Sequence, residues 1–263
     1  MMRSYLVFRL YGPMVSWGLP AVGGDRQTAV APSRSAILGL LGAALGIRRD
    51  DEAQLHALQQ SVEIAVKQLV PGRLIRDYHT TQIPSADRKF THRTRKSELS
   101  ESHLNTVLSS RDYRCDGMWT VAVTLTPQSN YTLAELNSAL KTPVFPLYLG
   151  RKSCPPAVPL SPRIVTDCSL RTALDTEFHT LSWSQKGDDF LLRHDGWITY
   201  FWESNPQAIA PDHSETVLTT FPWDEPENRA RWQFQSRTMY QLSVAESGAE
   251  KDSGASAPAD QRA

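Results

Sequence analysis

The sequence predicts an α+β protein with a ferredoxin-like core, a basic β-hairpin inserted into that core and a smaller β-rich C-terminal part. In residues 1–150, strand and helix patterns follow in the order strand, helix, strand, strand, helix, strand. A stretch at about 73–114, poor in large apolar residues and rich in Arg, Lys, His and Thr, interrupts that order. Residues 151–245 hold further strand patterns, and the Gly, Ser, Ala, Glu and Asp content of 246–263 predicts a disordered tail.

The composition is that of an ordinary globular protein and gives no bulk charge that would attract a polyanion. The 263 residues are 40% hydrophobic and 21% charged, and the formal net charge is zero. Any binding of nucleic acid must therefore come from local clusters of charge. No apolar run reaches the ~20 residues that span a membrane. Cys115, Cys154 and Cys168 fit neither a disulfide framework nor a zinc motif, so we expect a reducing cytoplasm, no metal and no cofactor.

The first half of the core is built around a helix predicted at 36–47. The preceding run Ser4–Leu10 is apolar with almost no alternation, which is typical of a central strand covered on both faces. Pro32 ends the extended segment before the helix, and Ser33 or Ser35 can cap the helix by accepting a bond from a backbone N–H. The helix is apolar all round, and the spacing of its three glycines indicates that a neighbour approaches its backbone closely.

The remaining elements follow from alternation, amphipathic spacing and turn residues. We expect a helix at about 51–60, strands at 62–66 and 118–126, a helix at 132–140, a strand at 145–149, and C-terminal strands at 197–202 and 239–244. Between Arg73 and Lys96 there are seven Lys or Arg and two Asp, a local charge of +5. A hairpin or extended arm that projects from the body explains both this charge and the lack of core residues.

Three basic or anion-ready elements favour a nucleic-acid ligand over a merely solvated charged surface. The arm supplies cations for phosphates, and Tyr78 and the histidines of the arm can stack on unpaired bases. Free N–H groups, two serine hydroxyls and the Arg34 guanidinium meet at the start of the 36–47 helix, an arrangement suited to a phosphate. Arg151 and Lys152 follow a glycine at a predicted strand end. On this interpretation we expect Arg34→Glu to disrupt assembly with RNA without unfolding the protein.

Catalysis receives little support from the sequence, which has no Walker loop, His-Glu-x-x-His, Cys pair or Gly-x-Ser-x-Gly motif. A metal-independent endoribonuclease needs only a base, an acid and a cation. The side chains that offer these groups are Tyr78, His79, His92, His103 and Lys152. Two alternatives therefore stay open beside an RNA-binding protein. One is an endoribonuclease acting on repeat RNA, and the other is a cytosolic interaction protein whose arm binds an acidic partner.

Motifs in the first 155 residues resemble those of a known family. They are Met2-Arg-Ser-Tyr-Leu, Gly12-Pro-Met, Trp17-Gly, Pro32-Ser-Arg-Ser, Leu38-Gly-Leu-Leu-Gly-Ala, Leu45-Gly-Ile, Arg49-Asp-Asp, Arg76-Asp-Tyr-His-Thr and Tyr148-Leu-Gly-Arg-Lys-Ser-Cys-Pro. In order and spacing they resemble the CasD family of the RAMP superfamily, the fifth Cas-family subunit of the type I-E CRISPR surveillance complex Cascade. The resemblance is close over 2–80 and 111–155 and weak after about residue 160.

The resemblance implies a ferredoxin-like (RRM-like) core, an inserted thumb at 73–114 and a non-catalytic role. Such a subunit caps one end of Cascade and grips the repeat-derived 5′ handle of the CRISPR RNA, beside the backbone subunit CasC and the large subunit CasA. It meets target DNA only through the assembled complex. A related type I-C branch cuts the RNA precursor with Tyr, Lys and His side chains, but the motifs here resemble the I-E branch. The candidate RNA-binding residues are Met14, Ser16, Trp17, Gly18, Arg26, Ser33, Arg34, Ser35, Arg76, Tyr78, His79, Arg88, Lys89, Arg93, Arg95, Lys96, Arg151 and Lys152.

Overall fold

Twelve strands and six helices are formed by the residues that the computed structural model describes, which are 2–21, 23–86, 91–192, 196–210, 215–228, 231 and 233–245. The N-terminal part contains β1 (Arg3–Gly12), β2 (Asp25–Arg26), α1 (Arg34–Leu45), α2 (Glu52–Ser61), β3 (Val62–Val70), β4 (Arg73–Pro84), α3 (Arg95–Leu99), β5 (Leu104–Cys115) and β6 (Gly117–Leu125). The C-terminal part contains α4 (Leu133–Lys141), β7 (Arg163–Cys168), α5 (Leu170–Leu174), α6 (Gln185–Leu191), β8 (Trp197–Trp202), β9 (Leu218–Thr220), β10 (Glu225–Asn228), β11 (Gln233–Gln235) and β12 (Met239–Ala245). The predicted tail at 246–263 and the arm residues Arg88 and Lys89 lie outside the described residues.

A seven-stranded sheet in the order β7-β1-β6-β3-β8-β12-β9 forms the centre of the molecule, and its neighbouring strands are antiparallel. The α+β class predicted from the sequence is confirmed. β1 lies inside the sheet, and its residues Leu6, Val7 and Phe8 are fully buried. Since successive side chains of a strand point to opposite faces, this continuous burial requires cover on both sides of the sheet, as the apolar run predicted.

Two apolar clusters supply that cover. On one face Leu6 and Phe8 pack with Ile37 and Leu41 of α1 and Leu136 of α4. On the other face the alternate β1 residues, together with the short helix α5, belong to a second buried cluster. Each fully buried Leu or Phe contributes about 1.5–3 kcal/mol, so the two clusters fix β1 between two layers of helices and loops.

α1 has the predicted Ser33 cap but lies two residues earlier than the predicted range 36–47, and its glycines act differently from the expectation. Ser33 caps the helix, because its Oγ accepts a hydrogen bond from the Ala36 N–H at 3.2 Å. Gly46 ends it in the left-handed conformation with φ 78°, and a Cβ there would lie 2.8 Å from the Val144 side chain. Gly39 faces open space. The predicted close approach therefore occurs at the helix end, where Gly46 meets Val144.

The strand predicted at 145–149 is wrong, and the strand that follows α4 in the chain is β7, at one edge of the sheet. Val144 and Phe145 donate their backbone N–H groups to the carbonyls of Ala44 and Ala43, 3.0 and 3.1 Å away, so this segment is held at the end of α1. Pro143 and Pro146 lack the N–H groups that a ladder requires. β8, β12 and β9 continue the main sheet, so the predicted boundary near 150 falls between strands of one sheet.

The inserted segment forms an arm, which we define as β4 and β5 with the short strand β2 beside them. β4 and β5 pair antiparallel over twelve positions from Arg73↔Cys115 to Pro84↔Leu104, and β2 runs parallel to β5. Eleven consecutive residues of β4 are exposed, in contrast to the buried strands of the main sheet. The ladder therefore keeps the arm extended without a core of its own. Within the described residues, no helix is long and apolar enough to cross a membrane.

Candidate nucleic-acid interface

The strand register gives the arm two chemically different faces. Across its three strands Asp77 lies opposite Arg111, and Arg111 lies opposite Arg26. Since residues two apart share a face, His79 and Arg73 lie on this same side, which we call the basic face. The opposite side, which we call the apolar face, presents Leu74, Tyr78 and Leu108, all of them more than half exposed, together with the Arg76–Asp112 pair. Exposed apolar side chains also occur on the basic face, at Ile75, Ile83 and Val107.

Arg151 joins the basic face from another part of the chain. Its guanidinium carbon lies 4.7 Å from the centre of the Tyr113 ring, and Tyr113 follows Arg111 by two positions on the same face. Its Nη2 also donates to the Arg26 carbonyl at 3.1 Å. Arg151 is therefore held between β5 and β2, with the exposed Lys152 directly after it. A cation on an aromatic ring is attracted by the negative face of the ring, so this stacking fixes the position of the positive charge.

The turn that carries Arg151 approaches the 14–18 loop so closely that only glycine fits at one position. The Ser16 N–H donates to the Leu149 carbonyl at 3.1 Å. Gly150 has φ 87°, and a Cβ there would lie 1.7 Å from the Ser16 carbonyl oxygen. The Leu149 N–H in turn donates to the Cys154 carbonyl at 2.7 Å, which closes the turn. Gly150 is thus required for the position of Arg151.

The 14–18 loop supports this site from inside the protein. Ser16 is buried and its Oγ donates to the Asp112 carbonyl at 3.1 Å. Trp17 is buried edge-on against Trp119, with ring centres 5.3 Å apart. The predicted direct contacts of the Ser16 and Trp17 side chains with RNA are therefore corrected, because both side chains are enclosed by the arm base and the core. Met14 is half-buried against the core, and Gly18 is exposed.

Arg114 attaches the arm to the body and was not among the residues predicted from the sequence. Its Nε donates to the Ala29 carbonyl at 2.8 Å, and its Nη1 donates to the carbonyls of Pro71 and Gly72 at 3.3 and 3.2 Å. Its backbone exchanges two hydrogen bonds with Val15. These bonds fix the direction in which the arm leaves the sheet, and with it the position of the basic face.

Arg76 forms an ion pair with the Asp112 carboxylate on the apolar face of the arm. Its Nε and Nη2 donate to the two carboxylate oxygens of Asp112 at 2.7 and 3.0 Å. The hydrogen bonds from Arg76 lower the pKa of Asp112, which is almost fully buried. Among the described residues Arg111 forms no ion pair, and Asp77 instead accepts a hydrogen bond from His79 Nδ1 at 3.1 Å. Arg111 therefore remains available to an anion, whereas Arg76 mainly orders the hairpin.

The start of α1 does bind anions, but they belong to the protein itself. Arg34 is buried and pairs with Glu203 through Nη1 at 2.8 Å and with Glu225 through Nε at 2.5 Å. Its backbone N–H donates to Asp224 at 2.7 Å. The expectation that Arg34, with Ser33 and Ser35, holds an RNA phosphate is corrected, because carboxylates from the C-terminal part already occupy this helix terminus. We call this set, completed by Arg237, the carboxylate cluster.

The carboxylate cluster is compact and largely buried. Arg237 donates to the Asp224 carboxylate at 2.7 and 3.1 Å, and its Nη1 lies 3.3 Å from Glu203. Burial raises the pKa of Glu203, while the two guanidiniums oppose that shift. Since breaking a buried ion pair leaves an unpaired charge in a low dielectric, this cluster stabilises the attachment of the C-terminal part to α1.

The described lysine and arginine residues at the far end of the arm are all exposed. Arg93 and Lys96 are exposed, and Arg95 pairs with Glu98 at 2.7 Å on α3. They extend the positive charge of the arm beyond the basic face without forming a shaped site.

Comparison with known proteins identifies the family of this chain. A family model described as CRISPR-associated protein (Cas_Cas5) matches residues 5–240. The chain belongs to the Cas5 family. It is also 43% identical over 167 residues to the CRISPR system Cascade subunit CasD of Escherichia coli strain K12, a match that covers 60% of this chain and 70% of that protein. The resemblance to CasD inferred from the motifs is confirmed.

Solved structures support the fold of this Cas5 chain. A chain of a CRISPR RNA-guided surveillance complex superposes with a TM-score of 0.60 at 24% identity, covering 92% of this chain and 89% of that one. A structure described as a Cas protein gives 0.57 at 22% identity, covering 92% and 95%. Both matches extend over the C-terminal part, where the sequence motifs were weak.

Of the four segments predicted to bind RNA in this Cas5 chain, three lie close together and the fourth lies elsewhere. Gly18 and Arg26, the His79 side of the arm, and Arg151 with Lys152 come together at the arm base, whereas the α1 start joins the carboxylate cluster. Arg111 was missed, although Arg-Asp-Tyr occurs at both 76–78 and 111–113. That repetition is a sequence signal that could have drawn attention to Arg111, although Arg111 lies on the opposite face from Arg76.

Proposed function

We propose that the chain is a non-catalytic CRISPR RNA-binding subunit of a type I-E Cascade complex that caps the complex and grips the repeat-derived 5′ handle. The observation that carries this proposal is the basic face, where Arg26, Arg111 and Arg151 come from three separate segments onto one exposed surface. Phosphate contacts from such a row give affinity for an RNA backbone. The similarity to the Cascade subunit CasD indicates that the complex is of the Cascade kind.

We extend the proposal to the core topology. Four strands in the order β7-β1-β6-β3, all antiparallel, with α1 between β1 and β3 and α4 between β6 and β7, have the strand order of a ferredoxin-like, RRM-like domain. The arm is inserted between β3 and β6, which are the second and third strands of this four-stranded core in chain order. It thus projects from the ends of these two adjacent interior strands as a thumb, with the 151–245 part as an addition to the same sheet.

The apolar face of the arm supports the proposed protein contacts. Leu74, Tyr78 and Leu108 are spaced along this face and exposed, and exposed apolar side chains on an extended hairpin favour a protein neighbour. In the proposed arrangement this neighbour is the backbone subunit CasC, while the large subunit CasA binds close by. Target DNA is then reached only through the assembled complex, and the protein acts in the cytoplasm.

The arrangement of Tyr78 and His79 favours binding over the endoribonuclease alternative. These residues are consecutive in β4, so their side chains point to opposite faces of the hairpin. An acid and a base must both reach one phosphodiester to cleave it. Tyr78 and His79 cannot do so together while the ladder is intact, which supports a non-catalytic role.

The proposal is tested by incubating the purified chain in EDTA with labelled repeat RNA and mature CRISPR RNA, followed by native and denaturing gels. We expect a shift of the mature RNA, no cleavage, and strong loss of binding in the double variant Arg26→Gln/Arg111→Gln. Lys186→Gln, an exposed cation on α6, is the matched control and should bind normally. Site-specific cleavage of the repeat would favour the endoribonuclease, and equal binding to heparin would favour a general acidic partner.

A further inference from the structure

The basic face contains one carboxylate among its cations, and its contacts constrain a neighbouring imidazole. Asp77 Oδ2 lies 3.1 Å from His79 Nδ1, and both side chains are about half exposed, at 45% and 48%. An ionised carboxylate can only accept hydrogen bonds, so Nδ1 must carry the hydrogen. In a neutral imidazole the other nitrogen, Nε2, is then a bare acceptor.

This tautomer matters for an RNA ligand. Among the described residues on this face, Asp77 lies two positions from His79 on its own strand, Arg111 lies opposite Asp77 on β5, and Arg26 lies beyond Arg111 on β2. Arg73 and Arg151, which stacks on Tyr113, lie further along the face towards the body. Asp25 pairs with Ser110 and so lies on the opposite face. An RNA backbone attracted to this row of cations presents a phosphate to a bare Nε2 lone pair when His79 is neutral, and to an N–H donor when His79 is protonated.

We propose that Asp77 and His79 form a proton-linked phosphate contact, in which a protonated His79 bridges the Asp77 carboxylate and an RNA phosphate. The inference rests on the proposed RNA-binding function and deepens it. RNA binding raises the fraction of His79 that carries a proton on Nε2, with the proton taken from solvent and no covalent change in either partner. Asp77 is a positioning residue: it fixes the ring by holding Nδ1 and directs Nε2 outward.

The role of Asp77 also explains why a carboxylate is tolerated on a surface that binds phosphates. Without the proton, Asp77 and a phosphate repel each other across the neutral ring. With it, one positive charge lies between two negative ones, and both hydrogen bonds are charge-assisted. Since an imidazole ordinarily takes up a proton near pH 6.5, the contact strengthens as the pH falls from 8.5 to 6.

The test measures the dissociation constant of the full chain for labelled mature CRISPR RNA between pH 6.0 and 8.5 at constant ionic strength. We expect wild-type binding to tighten by about fivefold towards pH 6, the effect of a shift of somewhat under one unit in proton affinity. His79→Gln should lose this dependence and match the wild type at pH 8.5. Asp77→Asn should also flatten it but bind more tightly than the wild type at pH 8.5, because a repulsive charge is removed.

A matched control and a second measurement make the outcome decisive. His56→Gln, an exposed histidine on α2 of the body, should keep the wild-type pH dependence. Calorimetry at pH 7 in two buffers of different ionisation enthalpy should show proton uptake by the wild type that His79→Gln lacks. Unchanged pH dependence in both arm variants overturns the inference while leaving RNA binding intact. Absence of RNA binding by the wild type at every pH overturns the proposed function and this inference with it.

Discussion

Arg34 at the start of α1 and Glu203 after β8 form a buried ion pair of 2.8 Å, although 169 residues separate them in the sequence. Around them Asp224, Glu225 and Arg237 complete the carboxylate cluster. Because of this pair, a helix terminus that is suited to a phosphate instead attaches the C-terminal part of the chain to α1. It therefore has a consequence for stability rather than for RNA binding.

Arg34→Met should destabilise the protein by about 3–5 kcal/mol, because it leaves buried carboxylates without their main partner. The measurement is urea unfolding at pH 7, followed by tryptophan fluorescence. Arg48→Gln is the control, because Arg48 pairs with Asp50 in an exposed bridge that contributes little. If the Arg34→Met protein were fully stable but no longer bound RNA, that result would support the phosphate site at Arg34 and contradict the structural role described above.

Arg76→Gln should lower the denaturant midpoint at pH 7 and have a progressively smaller effect as the pH falls below 4. Hydrogen bonds from Arg76 hold the pKa of Asp112 below its usual range. The unfolded state therefore binds more protons as the pH falls through 4, and the stability that this pair contributes is fully present above that pH and declines as the pH falls towards the lowered pKa of the folded state. Unfolding curves at several pH values test the prediction.

The control for this experiment is Arg73→Gln, which changes an exposed arginine on the other face of the same strand. It should leave the midpoint and its pH dependence as in the wild type. A loss caused by Arg76→Gln that is equally large at pH 3 and pH 7 would mean that the Asp112 carboxylate is not involved.

Gly150→Ala should destabilise the protein and weaken RNA binding together. The new Cβ would lie 1.7 Å from the Ser16 carbonyl oxygen at φ 87°, so the turn that carries Arg151 must move. Gly39→Ala is the opposite case, because open space surrounds Gly39 on α1. It should stabilise the helix by up to about 1 kcal/mol. Thermal unfolding and RNA titration of both variants check the pair of expectations.

Arg111→Gln should reduce both RNA affinity and its dependence on salt. Each lost phosphate contact lowers the slope of log K against log salt by about 0.7 for single-stranded RNA. Titrations between 50 and 200 mM salt, the range over which this effect is large, provide the measurement. An unchanged slope would show that Arg111 contacts a base or no RNA at all. Lys186→Gln should retain the wild-type slope.

Much of the fold could be read from local patterns. The central strand, α1 with its Ser33 cap and Gly46 end, α4 and the basic hairpin all follow from residues close together in the sequence. The strand at 145–149 was mispredicted, because apolar residues alone do not show that Val144 and Phe145 hydrogen-bond to the end of α1. Strand pairing partners are chosen by contacts between distant segments.

The sequence by itself determined that this chain is α+β, carries a basic hairpin and belongs with CasD, because composition, turn residues and motifs are local properties. Only the tertiary structure decided which cations face a ligand. Arg34 is buried and paired with carboxylates from distant parts of the sequence, so it does not face a ligand. The strand register places Arg76 and Arg111 on opposite faces of the arm. Whether a charge is paired or available depends on the groups that folding brings within hydrogen-bond distance, and for Arg34 these lie at 203, 224 and 225.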